Sequence, residues 1–199
     1  MARKQDRRKA SPAAAILTVL VLAALFVWRM LGSPEDGKTQ ITLPNGELHV
    51  WFLDVGQADS SLLVCDGQAM LIDGGNVDDA SYVVASLEQY GVTSLDYVIN
   101  THCDEDHVGG LAGVLAKFPA EHVWSSTAEY GTKAFSNFVK YANEQGRAIE
   151  IPSPGDTFTL GEAEITVLGP LRDYENNNEN SIVLRVDYGE TSFLFTGDM

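Results

Sequence analysis

Cysteine is scarce in this chain, with only Cys65 and Cys103 among its 199 residues. Two thiols are too few for a disulfide-stapled scaffold and too few for a zinc knuckle built from thiolates. A single disulfide between Cys65 and Cys103 is an alternative if the chain lies in an oxidising compartment. The fold must therefore be held by a hydrophobic core, and the hydrophobic content of 45% allows one domain of substantial size.

Basic residues are also scarce, because 13 Lys and Arg stand against 28 Asp and Glu, a formal net charge of −15. Six basic residues and one acidic residue lie in residues 1–31, which leaves 7 basic and 27 acidic residues downstream, about −20. At physiological salt such a surface repels polyanions over roughly 8 Å. The composition argues against a strong polyanion-binding surface, although a bound metal would supply the local positive field that a phosphate needs.

Long apolar runs are absent apart from one, between Ala13 and Trp28, which only Thr18 interrupts. A helix of this length covers about 24 Å at ~1.5 Å per residue, and continuation to residue 31 approaches the ~30 Å core of a bilayer. A single span excludes a multi-span channel. A cleaved signal peptide is the alternative, but Met30-Leu31-Gly32-Ser33-Pro34 makes a poor cleavage site.

These features divide the chain into four parts. We predict a basic cytoplasmic tail at residues 1–12, a transmembrane anchor at 13–31, a linker at 32–46 and one folded domain at 47–199. The positive flank places the N-terminus in the cytoplasm and the domain on the extracytoplasmic side of the cell membrane. If the apolar run is instead a signal peptide, the protein is secreted.

Residues 47–199 predict an α/β layered domain, because strands come first, helices then alternate with strands, and strands follow again. Asp66-Gly67 predicts a tight hairpin turn, and glycines 109, 110 and 113 predict close backbone approach. We predict strands at residues 48–53, 61–65, 69–72, 95–99, 157–160, 163–168, 181–186 and 192–195, and helices between residues 79 and 91, at 108–118 and around 134–142.

The segment after the strand at 95–99 reads Thr-His-Cys-Asp-Glu-Asp-His-Val-Gly-Gly and concentrates four potential metal ligands in six positions. These are His102, Asp104, Asp106 and His107, whose nitrogen and oxygen donors suit Zn, Mn or Fe. An acidic turn that caps a helix is the alternative, but capping explains neither histidine. Alternation along the segment predicts that Cys103 points away from the metal.

Four motifs carry a family resemblance, and the last of them consists of two segments. The loop resembles the His-x-His-x-Asp-His signature of the metallo-β-lactamase superfamily, with Asp104 replacing the second histidine. Phe52–Ser60 is similar to the Asp-Val-Gly-Gln-Gly-Asp-Ser segment of the ComEC/Rec2 competence-protein branch, with Ala58 replacing its second glycine. The other two are Leu71-Ile72-Asp73-Gly74-Gly75 and the pair Asn180-Ser181-Ile182-Val183-Leu184 and Phe195-Thr196-Gly197-Asp198. The resemblance implies a four-layer αββα sandwich behind the anchor.

The resemblance also implies a centre that holds two divalent metal ions. In it, His102 and Asp104 are ligands of one metal, Asp106 and His107 are ligands of the other, and Asp198 bridges both. Because Asp104 shifts the donor set towards oxygen, Mn becomes more plausible relative to Zn than in the histidine-rich pattern, and both stay open.

Asp106 and Asp73 are the predicted catalytic residues. Asp106 acts as a metal ligand, and Asp73 either accepts a hydrogen bond from a ligand or holds the loop in place. The alternative for Asp73 is a turn aspartate before two glycines. Asn180 and Ser181 are further candidates for residues that face the site.

The implied function is a membrane-anchored, metal-dependent hydrolase that uses a metal-activated hydroxide, with a small-molecule or nucleic-acid phosphodiester as substrate. Hydrolysis of another ester or amide is an alternative, with β-lactams disfavoured by Asp104. The second alternative is a non-catalytic binding or scaffold module of the cell envelope with a degenerate site.

Two departures from the family pattern bear on the second metal. Only His49, His102, His107 and His122 occur, so the family's third-motif histidine is absent. The family's His-rich segment after Gly-Asp is also absent, because the sequence ends at Met199. We therefore expect the domain to be incomplete at its C-terminus, with three protein ligands for the second metal.

Overall fold

A computed structural model describes residues 43–199, which belong to the compact unit Gln40–Met199. The predicted tail, the anchor and most of the linker, residues 1–42, lie outside the described residues. Within residues 43–199, no helix combines the length and the apolar character needed to cross a membrane.

Five strands form the first sheet, sheet A, in the order β1-β2-β3-β4-β5. β1, β2 and β3 are antiparallel neighbours, whereas β3, β4 and β5 run parallel. The predicted turn at Asp66-Gly67 is confirmed, and both residues have the positive φ that such a turn requires. The bounds are Leu48–Phe52 for β1, Ser61–Cys65 for β2, Gln68–Ile72 for β3, Leu95–Asn100 for β4 and Ala120–Ser125 for β5.

Four strands form the second sheet, sheet B, in the order β6-β7-β8-β9 with every pair antiparallel. The four predicted strands at the end of the chain are thus confirmed, and β8 begins two residues later than predicted. The bounds are Thr157–Leu160 for β6, Ala163–Gly169 for β7, Val183–Tyr188 for β8 and Thr191–Phe195 for β9.

Four α-helices connect the strands of sheet A and lead out of it. They are α1 at Ala80–Gln89, α2 at Glu105–Val108, α3 at Leu111–Lys117 and α4 at Lys133–Glu144. The prediction of one helix at 108–118 is wrong in detail. Gly109 and Gly110 separate α2 from α3, because glycine disfavours a continuous helix and both residues press against neighbouring backbone. Thr132 caps α4 by accepting a hydrogen bond from the Phe135 amide.

Two hydrophobic clusters hold the layers together. In one, α1, α3 and α4 pack on one face of sheet A through residues such as Leu87, Leu111 and Phe138. In the other, the opposite face of sheet A packs on sheet B. Cys103 lies in the first cluster and Cys65 in the second, so both thiols are free and do not pair.

The order of layers is therefore helices, sheet A, sheet B. This agrees with three layers of the predicted αββα sandwich. Within residues 43–199 no α-helix follows α4, so the outer face of sheet B has no helical layer in this part of the chain.

Gly110 is a position where backbone segments meet, and Gly110→Ala is expected to destabilise the domain. A Cβ atom there would lie 2.0 Å from the carbonyl oxygen of Gly74, which immobile backbone cannot accommodate. We expect a loss of about 2–3 kcal/mol in the free energy of unfolding, measured by urea denaturation. Gly131→Ala is the matched control because nothing lies within 4 Å of its Cβ position. Equal stabilities for the two variants would contradict the prediction.

Candidate metal centre

The candidate centre lies where β3 and β4 end. Asp73 directly follows β3, and residues 101–107 directly follow β4. Because these strands are parallel neighbours, their carboxyl ends meet at one edge of the sheet. Backbone hydrogen bonds join the segments, since the Gly74 amide donates to the His107 carbonyl at 2.7 Å and the Asp59 amide donates to the Asp106 carbonyl at 3.1 Å.

Asp198 reaches the same place from sheet B, just after β9. Gly197 makes this approach possible because it adopts a φ of +52° and lies against two side chains from other segments. A Cβ atom at this position would come within 2.7 Å of Ser181 Oγ and 2.9 Å of Thr101 Oγ1. The site therefore joins the two sheets.

Three of the five predicted ligands form a compact group. Donor atoms of His102, His107 and Asp198 all lie within 4.8 Å of one another. Asp104 borders this group, with its Oδ2 atom 3.5 Å from His102 Nε2. Asp106 is not part of the compact group, and Gln57 Nε2 donates to its Oδ2 atom at 3.0 Å.

Asp73 orients His107. His107 Nδ1 donates to Asp73 Oδ2 at 2.9 Å, and Thr101 donates to Asp73 through both its amide, at 2.8 Å, and its hydroxyl, at 2.7 Å. The other ring nitrogen of His107, Nε2, faces Asp198 Oδ1 at 3.3 Å. Burial alone would lower the pKa of His107, but the hydrogen bond and charge of Asp73, then Asp198 and Asp59, raise it to about 9.

The pKa of His102 is shifted in the opposite direction from that of His107. Its Nδ1 atom lies 3.2 Å from Thr101 Oγ1 and 3.4 Å from Ser181 Oγ. Both hydroxyls donate their hydrogen bonds elsewhere, to Asp73 and to the Asn178 carbonyl, so they accept a hydrogen bond from His102 Nδ1. Burial, with the nearby His107 charge, lowers the pKa of His102. The ring is therefore neutral, with a lone pair on Nε2.

No donor within the described residues reaches that lone pair, and Asp104 Oδ2, 3.5 Å away, is itself an acceptor. His102 is fully buried, and its Nε2 atom makes no hydrogen bond. A buried nitrogen without a partner costs free energy, unless a cation completes its environment. Two imidazoles beside carboxylates form a donor set that suits divalent Zn or Mn. The residues present thus fit a divalent metal ion.

The surroundings are strongly acidic. Asp59 Oδ2 lies 4.0 Å from His107 Nδ1, and this residue was not assigned a role from the sequence. Burial raises the pKa of Asp59, the His107 charge opposes this, and the charges of Asp73, Asp198 and Asp106 raise it further. Such mutual repulsion among carboxylates is relieved by a cation.

Three amide side chains that the sequence analysis missed also reach the site. They are Gln57 in the β1–β2 loop and Asn177 and Asn178 in the loop before β8, and each donates to a predicted carboxylate ligand. The sequence shows the asparagine-rich stretch at 176–180, but nothing in it reveals which carboxylates these side chains contact. Asn180, predicted to face the site, instead bonds to the backbone of Tyr174 and Asn176 in its own loop.

The metallo-beta-lactamase superfamily profile matches residues 53–199 of this chain. The chain belongs to the metallo-beta-lactamase superfamily. This agrees with the fold, since the metallo-beta-lactamase SMB-1 superposes with a TM-score of 0.55 at 18% identity, covering 79% of this chain and 65% of that one.

Curated relatives place this metallo-beta-lactamase domain with the ComEC/Rec2-like competence proteins. ComE operon protein 3 of Bacillus subtilis is 25% identical over 78% of this chain and 22% of its own length. Recombination protein 2 of Haemophilus influenzae is 30% identical over 73% of this chain and 18% of its own length. The chain thus spans about a fifth of the length of these relatives.

The buried position of Asp73 makes Asp73→Asn a severe change in this metallo-beta-lactamase domain. Both carboxylate oxygens accept hydrogen bonds, so an amide nitrogen in place of either oxygen would face a donor. Asparagine tolerates the φ of +58° found here, so the backbone is not the cause. We expect a loss on the order of 3 kcal/mol in the free energy of unfolding, measured by chemical denaturation.

Asp66→Asn is the matched control, because Asp66 also has a positive φ, at +52°, but lies at the partly exposed hairpin turn. Water replaces lost hydrogen bonds at such a position, so its loss of stability should be much smaller. Similar losses in the two variants would show that Asp73 acts only as a turn residue.

Proposed function

We propose that this metallo-beta-lactamase domain is a metal-dependent phosphodiesterase, nuclease-like in its chemistry and held at the cell membrane by residues 13–31. The observation that carries the proposal is the buried Nε2 atom of His102, which has no partner within the described residues and lies in the compact group with His107 and Asp198. A scaffold that binds no metal would gain nothing from such an atom.

His102, His107 and Asp198 lie close enough together to hold one cation, with Asp104 beside His102. Asp106, which lies outside this group, would be a ligand of a second cation. Two divalent cations supply a nucleophile at neutral pH and stabilise the anionic transition state of phosphodiester hydrolysis.

The protein's own residues prepare that site. Asp73 holds a proton on His107 Nδ1, so Nε2 is the atom that would bind a metal ion after losing its own proton. Thr101 and Ser181 do the same for His102 by accepting from its Nδ1 atom. Both imidazoles are therefore turned towards the centre before any ion arrives, which reduces the reorganisation that binding requires.

The phosphodiester assignment rests on the relatives, and the charge of the chain limits which substrates fit. The names of the relatives, a recombination protein and a competence protein, favour nucleic acid as the source of the bond that is cut. The acidic surface disfavours long polyanions, so we propose that the substrate enters as a short or single-stranded segment.

The test compares substrates of different bond type with the full chain and added Mn²⁺ or Zn²⁺. We expect cleavage of bis(p-nitrophenyl) phosphate and of a short single-stranded oligonucleotide. We expect no more than trace hydrolysis of a phosphomonoester, a p-nitrophenyl ester or a chromogenic β-lactam. Preferential turnover of the ester or the β-lactam would replace the phosphodiester proposal, and metal binding without any turnover would favour a binding module.

Membrane attachment has a separate test. A reporter enzyme that works only outside the cytoplasm should be active when it is fused to the C-terminus. The chain should also stay in the membrane fraction at high salt. A mature chain released from the membrane without residues 1–31 would show that the apolar run is a signal peptide.

A further inference from the structure

Each predicted carboxylate ligand in the centre has one neutral amide bound to it. Asn177 Nδ2 donates to Asp104 Oδ1 at 2.7 Å, and Asn178 Nδ2 donates to Asp198 Oδ2 at 3.2 Å. Gln57 holds Asp106 in the same way. The three amides come from two loops that are far apart in sequence, so the pattern is not a product of local chain geometry.

In two of these pairs the second carboxylate oxygen faces an imidazole. Asp104 is bound through Oδ1, and its Oδ2 atom lies 3.5 Å from His102 Nε2. Asp198 is bound through Oδ2, and its Oδ1 atom lies 3.3 Å from His107 Nε2. The amide thus takes one oxygen and leaves the other directed at the ligand nitrogen, on both halves of the centre.

The loop that carries both asparagines is itself braced. Asn180 Nδ2 donates to the carbonyl of Tyr174 at 2.8 Å, and its Oδ1 atom accepts from the Tyr174 amide at 2.8 Å. Asn176 Oδ1 accepts from the Asn178 amide at 3.1 Å. Two asparagines therefore shape the loop, while Asn177 and Asn178 reach out of it to the carboxylates.

We infer that Asn177 and Asn178 are positioning residues that act as a pair, one fixing Asp104 and the other fixing Asp198 so that each carboxylate presents a single oxygen to a metal ion. This inference rests on the proposed function. It adds a specific role for the asparagine-rich loop, which connects the two halves of the centre through consecutive residues.

The choice of amides has a physical reason. A lysine or arginine would hold a carboxylate equally well, but its charge would cancel the negative charge that attracts the cation. An amide N–H donates a hydrogen bond without that loss. A carboxylate with one oxygen engaged binds in a monodentate manner, which suits small ions such as Zn²⁺ or Mn²⁺ better than Ca²⁺.

The test measures metal binding directly, with no assay of activity. Asn177→Ala and Asn178→Ala are each titrated with Zn²⁺ by competition against a chromogenic chelator, and their Co²⁺ adducts are compared by visible absorption. We expect each variant to bind Zn²⁺ about 10–100-fold more weakly, with an altered Co²⁺ spectrum. The metal-free melting temperature should stay close to that of the parent chain, because both side chains are only partly buried.

Asn143→Ala is the matched control, an exposed asparagine in α4. A double-mutant cycle identifies the path of action: in an Asp104→Ala background, Asn177→Ala should cause no further loss of affinity, whereas Asn178→Ala should keep its full effect. Affinities within threefold of the parent chain for both variants would overturn the positioning role of Asn177 and Asn178 and leave the hydrolase proposal standing. Failure of the parent chain to bind metal would overturn both.

Discussion

Replacing His107 with alanine is expected to reduce metal-dependent phosphodiester turnover on the order of 10³-fold or more. In the proposed centre the imidazole would supply a ligand atom at Nε2, and its Nδ1 atom contacts the buried Asp73. Electrostatic stabilisation by a bound metal is worth several kcal/mol, and each 1.36 kcal/mol corresponds to a tenfold change in rate. The measurement is kcat and KM for bis(p-nitrophenyl) phosphate with saturating Mn²⁺ or Zn²⁺.

His122→Ala is a close control for this change. His122 Nδ1 also contacts a carboxylate, Glu150, at 3.1 Å, but the side chain is 38% exposed on the surface of sheet A. Its removal should leave turnover unchanged. His102→Ala guards against a loss caused by unfolding, because it removes the other imidazole and leaves the contact between His107 and Asp73 in place. Turnover that survives both His107→Ala and His102→Ala would contradict the proposed metallohydrolase activity.

Metal addition is expected to stabilise the folded domain strongly. A ligand that binds only the native state raises the free energy of unfolding by about 2.7 kcal/mol when its concentration is 100 times its dissociation constant. We expect a stabilisation of this size because a cation would relieve the repulsion among Asp59, Asp73, Asp106 and Asp198. It would also give His102 Nε2 the bonding partner that it lacks. The measurement is thermal unfolding with and without Zn²⁺ or Mn²⁺, followed by chelation with EDTA.

The Asp198→Ala variant should lose most of this metal-induced shift, because it removes one of the three side chains in the compact group. Asp156→Ala, an acidic surface control in the loop before β6, should keep the full shift. A stabilisation that is the same in both variants would point to nonspecific binding of cations by the acidic surface.

The candidate metal loop could be found in the sequence because its candidate ligands lie close together along the chain. His102, Asp104, Asp106 and His107 lie within six residues, and the apolar strand before them fixes their place at a sheet edge. The hairpin at Asp66-Gly67 was equally local, since the turn type follows from the residues themselves.

Other features depend on contacts that no local pattern reveals. β5 was not predicted, because Glu121 and His122 interrupt its apolar residues and the strand is defined by parallel pairing with β4. Asn177 lies 73 residues from Asp104, and Gln57 lies 49 residues from Asp106. Their roles follow from tertiary packing, and an amide in a loop looks the same with or without such a partner.

The position of Asp198 has a consequence for the kinetics of unfolding. His102 and His107 belong to sheet A, whereas Asp198 follows the last strand of sheet B. A cation held by all three would tie the two sheets together at one end of their interface. Their separation would then require the ion to be released first, so a bound cation would slow the unfolding rate and lengthen the lifetime of the native state.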